Sequence, residues 1–275
     1  MKQISSADNP RFKSLLKLAH SSRARKEQGC SLLDGIHLVA AYQHHVGAPG
    51  QLVVSRAGLG HPEIQRLLEA FAPGDPLLLS DALFRQLSTV ESPTGVLAAV
   101  ATPRPLAAPA RLETCEMLEN VQDPGNLGSI LRSAAAAGIR QIFLSRHCVQ
   151  AWSPRVLRAG MGAHFMTEIH EESDLLHLAQ SFNGRVIATS QRGTASVFDV
   201  DFRGETAFVF GNEGAGLSQA LVQAAHSIVA IPMHGEVESL NIAAAAAICL
   251  FERVRQRAEH ERASRRDVRA SKPGA

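Results

Sequence analysis

Three segments hold the polar residues that could do chemistry in this chain, each set in an otherwise apolar, small-residue stretch. The first is NVQDPGNLGSILRSAAAAG, residues 120–138. Asp123-Pro124-Gly125 is a turn signal, and Asn126 is expected to cap the helix that follows. Arg132 lies six positions on, nearly two turns, and is expected on roughly the same helix side. Residues 133–138 are all small, so another backbone can come close. The second segment is FVFGNEGAGLS, residues 208–218. It follows neither the GxGxxG nor the Walker spacing, and a carboxylate at Glu213 would repel a pyrophosphate. Glu213 is expected to meet a cation, a ribose hydroxyl or a basic side chain. The third is IPMHGEVESLNIAAAAA, residues 231–247, where a strand gives way to a glycine loop and then to a helix beginning near Ser239. Taken singly, each segment has a purely structural explanation, as a capped alanine-rich helix or a tight turn.

The elements that must position these residues alternate along the whole chain. Residues 10–100 read as a compact α/β unit, opened by one amphipathic helix with Asn9 as N-cap and Pro10 in its first turn. Prolines at 103, 105 and 109 mark a linker over 101–114 that ends near residue 110. Beyond it, short apolar strands between helices imply a mostly parallel sheet covered on both faces. A final helix is expected from Ser239 to about Glu261.

Composition bounds the function. The chain has 275 residues, 45% hydrophobic and 20% charged, a globular balance with a sizeable core. No apolar run is long enough to span a bilayer, and the charged N-terminus is not expected to be a signal peptide. Cys30, Cys115, Cys148 and Cys249 are scattered without a CxxC, which favours reduced structural thiols and no metal site. The net charge is only +2, but both ends are basic. Arg11, Lys13, Arg23, Arg25 and Lys26 form the N-terminal cluster, which suits a polyanion such as RNA or, equally, solvated helix faces.

Together the three segments resemble the SpoU, or TrmH-like, branch of the SPOUT RNA methyltransferases. That family's first motif spaces Asn, Gly and Arg as Asn126, Gly128 and Arg132. Its second reads like Gly211-Asn212-Glu213-Gly214-x-Gly216-Leu217-Ser218. Its third reads like Ile231-Pro232-Met233-x-Gly235-x-x-x-Ser239-Leu240-Asn241. The resemblance covers about residues 110–258. More loosely, LLDGIHLVAAY and ESPTGVLAAV resemble the L30e-like substrate-binding domain often fused in front. One departure is Ala159-Gly160-Met161-Gly162, where many relatives carry a serine after the alanine, and no role is assigned there.

The resemblance implies an α/β chain with an L30e-like domain over 1–105, a SPOUT domain with a C-terminal trefoil knot over 106–258, and a basic, disordered tail over 259–275. It implies S-adenosyl-L-methionine as cofactor, bound by Gly211, Ile231, Leu240, Met233 and Thr189. It also implies methyl transfer to an RNA ribose 2′-hydroxyl by Arg132, Asn126, Glu213, Ser239 and Asn241, with Glu213 holding the arginine. The expected assembly is a cytoplasmic homodimer with the site completed at the interface, acting on rRNA in preference to tRNA, with neither DNA nor membrane as partner. Two other readings are a non-catalytic RNA-binding module and a nucleotide-dependent dehydrogenase. The second needs GxGxxG after the first strand of the sheet, which NVQDPGNLG does not supply.

Overall fold

In the computed structural model the described residues are 1–71, 74–103, 105, 109 and 111–270, with side chains described through residue 264. Five of the fourteen positions of the expected linker, 104, 106–108 and 110, lie outside the described residues. On either side of it stand two sheets.

The N-terminal sheet has the order β1-β4-β3-β5-β2. Its strands are β1 (Lys2–Ile4), β2 (Cys30–Asp34), β3 (Gln51–Ser55), β4 (Leu77–Leu79) and β5 (Val96–Ala101). β5 runs antiparallel to both β2 and β3, and the other pairs are parallel. Helices α1 (Pro10–His20), α2 (Ser22–Gln28), α3 (Ile36–His45), α4 (Pro62–Ala70) and α5 (Asp81–Leu87) cover it. The single opening helix expected from the sequence is two. Ser21 is extended at φ −118°, ψ 115°, and its hydroxyl accepts from the Ala24 N–H to start the second helix.

The second sheet is parallel throughout, in the order β10-β12-β9-β11-β6-β7-β8. It comprises β6 (Cys115–Leu118), β7 (Gln141–Leu144), β8 (Glu168–His170), β9 (Arg185–Thr189), β10 (Ala195–Ser196), β11 (Thr206–Phe210) and β12 (Ser227–Ala230). Its helices are α6 (Pro124–Ala136), α7 (Pro154–Gly160), α8 (Leu175–Ser181), α9 (Gln219–Ala224) and α10 (Ile242–Ala270). One face packs Cys115, Met117, Val186 and Val209 under α8 and α9. The other face packs Leu118, Ile187, Phe208 and Phe210 under α6 and α10. This second cluster continues into the N-terminal sheet through Leu33, Tyr42 and Val96, so one core spans both halves.

α10 corrects two expectations. It begins at Ile242, not Ser239, because Asn241 is its cap: the Asn241 side-chain oxygen accepts from the Ala243 N–H at 2.9 Å. It continues through Ala270, where a disordered tail from residue 259 was expected. No glycine or proline interrupts the stretch before Pro273. Arg255 also bridges Glu252 and Glu259, three and four residues away. Residues 271–275 lie outside the described residues.

Candidate active site

The carboxyl edge of the parallel sheet collects the sequence-predicted residues. β12, β9 and β11 are neighbours, so Ile231, Thr189 and Gly211 stand side by side at or just past their C-terminal ends. In open parallel sheets that edge is where ligands bind.

Motif one is positioned by a cap other than the expected one. α6 starts at Pro124, and the Asp123 carboxylate accepts from the Asn126 N–H at 2.7 Å. Asn126 is therefore inside the first turn, and its side chain is free to face the other motifs. Its Nδ2 donates to Glu213 Oε1 at 3.0 Å, and its Oδ1 accepts from Asn241 Nδ2 at 2.8 Å. A continuous chain, Asn241 to Asn126 to Glu213, thus joins all three motifs. Asn241 holds the helix start with its oxygen and the next motif with its nitrogen.

The glycine loop is closed by its own residues. Asn212 Oδ1 accepts from the Gly214 and Ala215 N–H groups, each at 2.9 Å, and Asn212 Nδ2 donates to the Asn120 carbonyl. The Asn212 and Gly216 backbones form a bridge. A Cβ on Gly211 would lie 2.4 Å from the Gly216 carbonyl carbon. Gly211 is small because the loop doubles back onto it, a constraint the sequence reading attributed to a cofactor. At the loop's far end the Ser218 N–H donates to Glu119 Oε2 at 2.7 Å. Asn212, Asn120 and Glu119 were not in the expected site. The Asn followed two and three residues on by bare N–H groups is the signal that pointed to the first.

Arg132 does not join this network. Six residues at 100° each make 600°, which falls 120° short of two turns, so it leaves α6 on a different side from Asn126. It is exposed and, among the described residues, makes no hydrogen bond or ion pair. Within one chain Glu213 therefore holds Asn126 and Asn212 and does not hold Arg132. Ser239 is exposed in the third loop, also without a hydrogen bond among the described residues. In that loop Met233, Val237 and Leu240 are exposed despite being apolar. The small residues of motif one matter at Gly128, where a Cβ would meet the Ala159 Cβ at 2.4 Å and the Val156 carbonyl at 2.7 Å. Ala159 and Gly160, in the stretch that departs from the family pattern, thus pack on α6 at Gly128.

The basic N-terminal cluster is partly spoken for. Arg25 is only 6% exposed. Its guanidinium donates to the Leu18 carbonyl at 2.7 Å and to Gln150 Oε1 at 2.9 Å, so most of its surface is engaged within the chain. Lys26 pairs with Glu172 across the two halves, Lys13 with Asp8, and Arg23 with Glu27. Arg11 is exposed.

The residues fit S-adenosyl-L-methionine. The sheet edge offers backbone groups at Gly211 and Ile231, a hydroxyl at Thr189, and apolar side chains at Met233 and Leu240 that no core residue covers. Three adjoining strand ends and loops locked by side-chain amides make the edge of the second sheet the candidate small-molecule site of an α/β protein. Residues 115–251 match the SpoU rRNA Methylase family and residues 9–98 an MRM3-like substrate binding domain. The chain belongs to the SpoU methylase family. It is 36% identical over 260 residues to an uncharacterized tRNA/rRNA methyltransferase of Synechocystis sp., covering 92% of this chain and 93% of that one. It is 28% identical to the 23S rRNA (guanosine(2553)-2′-O)-methyltransferase RlmP of Bacillus subtilis, covering 91% and 98%. The AdoMet-bound rRNA methyltransferase structure from Sinorhizobium meliloti superposes with a TM-score of 0.79 at 28% identity, covering 92% and 97%.

Proposed function

We propose that this chain is an S-adenosyl-L-methionine-dependent methyltransferase that modifies a ribose 2′-hydroxyl of rRNA. The observation that carries this is the side-chain chain Asn241–Asn126–Glu213, which ties three separated motifs into one polar site beside the sheet edge. The names of the full-length relatives favour rRNA over tRNA.

Bound at the edge, the cofactor supplies a methyl group on a sulfonium, and the leaving group is a neutral thioether. Gly211 and Ile231 offer backbone hydrogen bonds, Leu240 packs the adenine, and Met233 and Thr189 line the same edge. Asn126, Glu213, Ser239 and Asn241 orient the ribose. Holding the hydroxyl in line is worth up to roughly 7–11 kcal/mol in ideal cases. The Arg132 guanidinium has a pKa above about 12 and no acceptor while charged, so it is not a base. It stabilises the negative charge that develops on the 2′-oxygen, and the proton passes to water.

Arg132 and Glu213 do not meet within one chain, which supports a homodimer whose second copy completes the site. Ala244, Ile248 and Phe251 form a stripe at helical spacing on α10, with Phe251 47% exposed, and this stripe is the proposed contact. The loops around residues 211–218 and 231–241 are the proposed knot. The front domain over residues 1–105 binds the RNA, and the protein works in the cytoplasm.

The product tests the reaction. A 2′-O-methylated linkage resists alkaline cleavage, because its internal nucleophile is blocked. Recovery of a methylated base at an alkali-sensitive linkage overturns the ribose assignment.

A further inference from the structure

Arg155 and Arg158 lie three residues apart on α7, so they leave the same face of that helix. α7 presses against α6 at Gly128, and Arg132 follows Gly128 by about one turn. The packing therefore brings three guanidinium groups to one cleft of about 560 Å³, whose far wall includes Thr89 of the front domain. The Thr89 loop is anchored: the Thr89 N–H and the Ser88 hydroxyl both donate to Asp34 Oδ2, at 3.1 and 2.7 Å. Burial raises the Asp34 carboxyl pKa, and the Arg158 charge is close enough to act against it. Arg132, Arg155 and Arg158 are exposed and make no hydrogen bond or ion pair among the described residues. The one carboxylate in the cleft, Asp123, is engaged as the cap of α6.

Three guanidinium groups against the single carboxylate of Asp123 leave this cleft with an excess of positive charge that a bound anion would offset. Their planar forks match phosphate oxygens in pairs. We propose that this cleft is the path of the RNA backbone, where Arg155 and Arg158 grip the phosphates of a single strand next to the ribose served by Arg132. The strand is single because an unpaired nucleotide is the form in which a protein can turn a chosen ribose toward a site. This rests on the RNA methyltransferase reading and adds to it a substrate path running between the two halves of one chain.

The test uses the full chain, the double variant Arg155→Gln/Arg158→Gln, and a short mixed-sequence single-stranded RNA as probe. A second double variant, Arg140→Gln/Arg203→Gln, removes the same charge from exposed positions just before β7 and β11, at the amino edge of the second sheet. The cleft variant is expected to bind RNA ~10-fold or more weakly at moderate salt. Its log affinity against log salt should flatten by about 1.4, at roughly 0.7 for each of two lost phosphate contacts. S-adenosylhomocysteine affinity should be unchanged. An unchanged slope overturns the proposal, as does an equal loss in the control variant. A fall from dimer to monomer in sedimentation also overturns it, because the cleft would then be a contact between copies. The binding assay needs no methyl transfer. An arginine-dependent slope in a chain that methylates no RNA would sink the enzymatic reading and leave the cleft standing.

Discussion

Arg132 is where competing accounts of the site separate. Arg132→Lys keeps a positive charge but loses the planar fork. If the fork grips the reacting oxygen, lysine should be nearly as damaging as alanine, with single-turnover methylation down ~100-fold or more. S-adenosylhomocysteine affinity should hold in both variants, because Arg132 lies on α6 and, among the described residues, makes no hydrogen bond to Thr189, Gly211 or Ile231. Wild-type rates in Arg132→Ala would remove it from the chemistry. Glu116 and His164 shape stability instead. Glu116 is fully buried on β6, neither carboxylate oxygen has a partner, and burial pushes its pKa up to about 8. His164 is also buried. It donates from Nε2 to the Ala151 carbonyl at 2.9 Å, and burial lowers its pKa to about 4. A raised carboxyl costs stability as pH climbs from about 4.5 to 8, whereas a depressed histidine costs stability as pH falls from about 6.5 to 4. The two slopes oppose each other between about 4.5 and 6.5, so Glu116 alone should drive a decline above that window. Glu116→Met is expected to flatten the decline and to gain on the order of a few kcal/mol at pH 8. Denaturant titrations at pH 6 and pH 8 measure this, and identical pH dependence in both proteins would refute it.

At the scale of the element, the glycine loop after β11 is set by its own closure. A Cβ at position 211 would need the loop to open, since the Gly216 carbonyl carbon and oxygen stand 2.4 and 2.5 Å away. Overpacking of this kind costs about 1–3 kcal/mol. Gly211→Ala should therefore lower S-adenosylhomocysteine affinity ~10-fold or more while helix content and sedimentation stay the same. Undiminished affinity by calorimetry would mean that the closed loop is not the binding form. α6 is constrained in the same way at Gly128, where it meets α7. That contact carries both the Asn126 network and the arginine cleft, so the two helices act as one support for two functions.

The whole molecule is arranged around its shared core and, as proposed, a second copy. Tyr42 of α3 meets Phe165 edge to face at 5.4 Å, and Arg25 reaches Gln150, so the front half is seated on the second half by packing as well as by chain. On α10, Ile248 is half-buried against the core while Phe251 stands 47% exposed. Phe251→Asp places a charge in the middle of the proposed dimer contact. It should shift sedimentation from dimer to monomer and lower turnover with it, because Arg132 and Glu213 would no longer meet. A dimer of unchanged stability would exclude α10 as the interface.

How much of this was legible in the sequence follows from the range of each interaction. The alternation of short apolar strands and helices, the parallel second sheet and the three motifs are local patterns, and each could be read from periodicity and spacing. So could caps, in part: Asn9 caps α1 as the sequence suggests, but the second helix start at Ser21 was not foreseen, and at α6 the cap is Asp123 where Asn126 was expected. The two-residue β10 and three-residue β1 carry no pattern long enough to detect. Arg25 looked like an RNA contact because charge is visible in sequence and burial is not. Arg155 and Arg158 went unremarked because a helical surface arginine gains meaning only from what stands opposite it. Asn126, Glu213 and Asn241 are separated by 87 and 28 residues in the chain, and only the order of strands in the sheet brings them within hydrogen-bonding distance. Residue types and spacing determined the family and the chemistry at hand; which side chains meet was decided by parallel crossovers and close helix packing, interactions between segments that no local window contains.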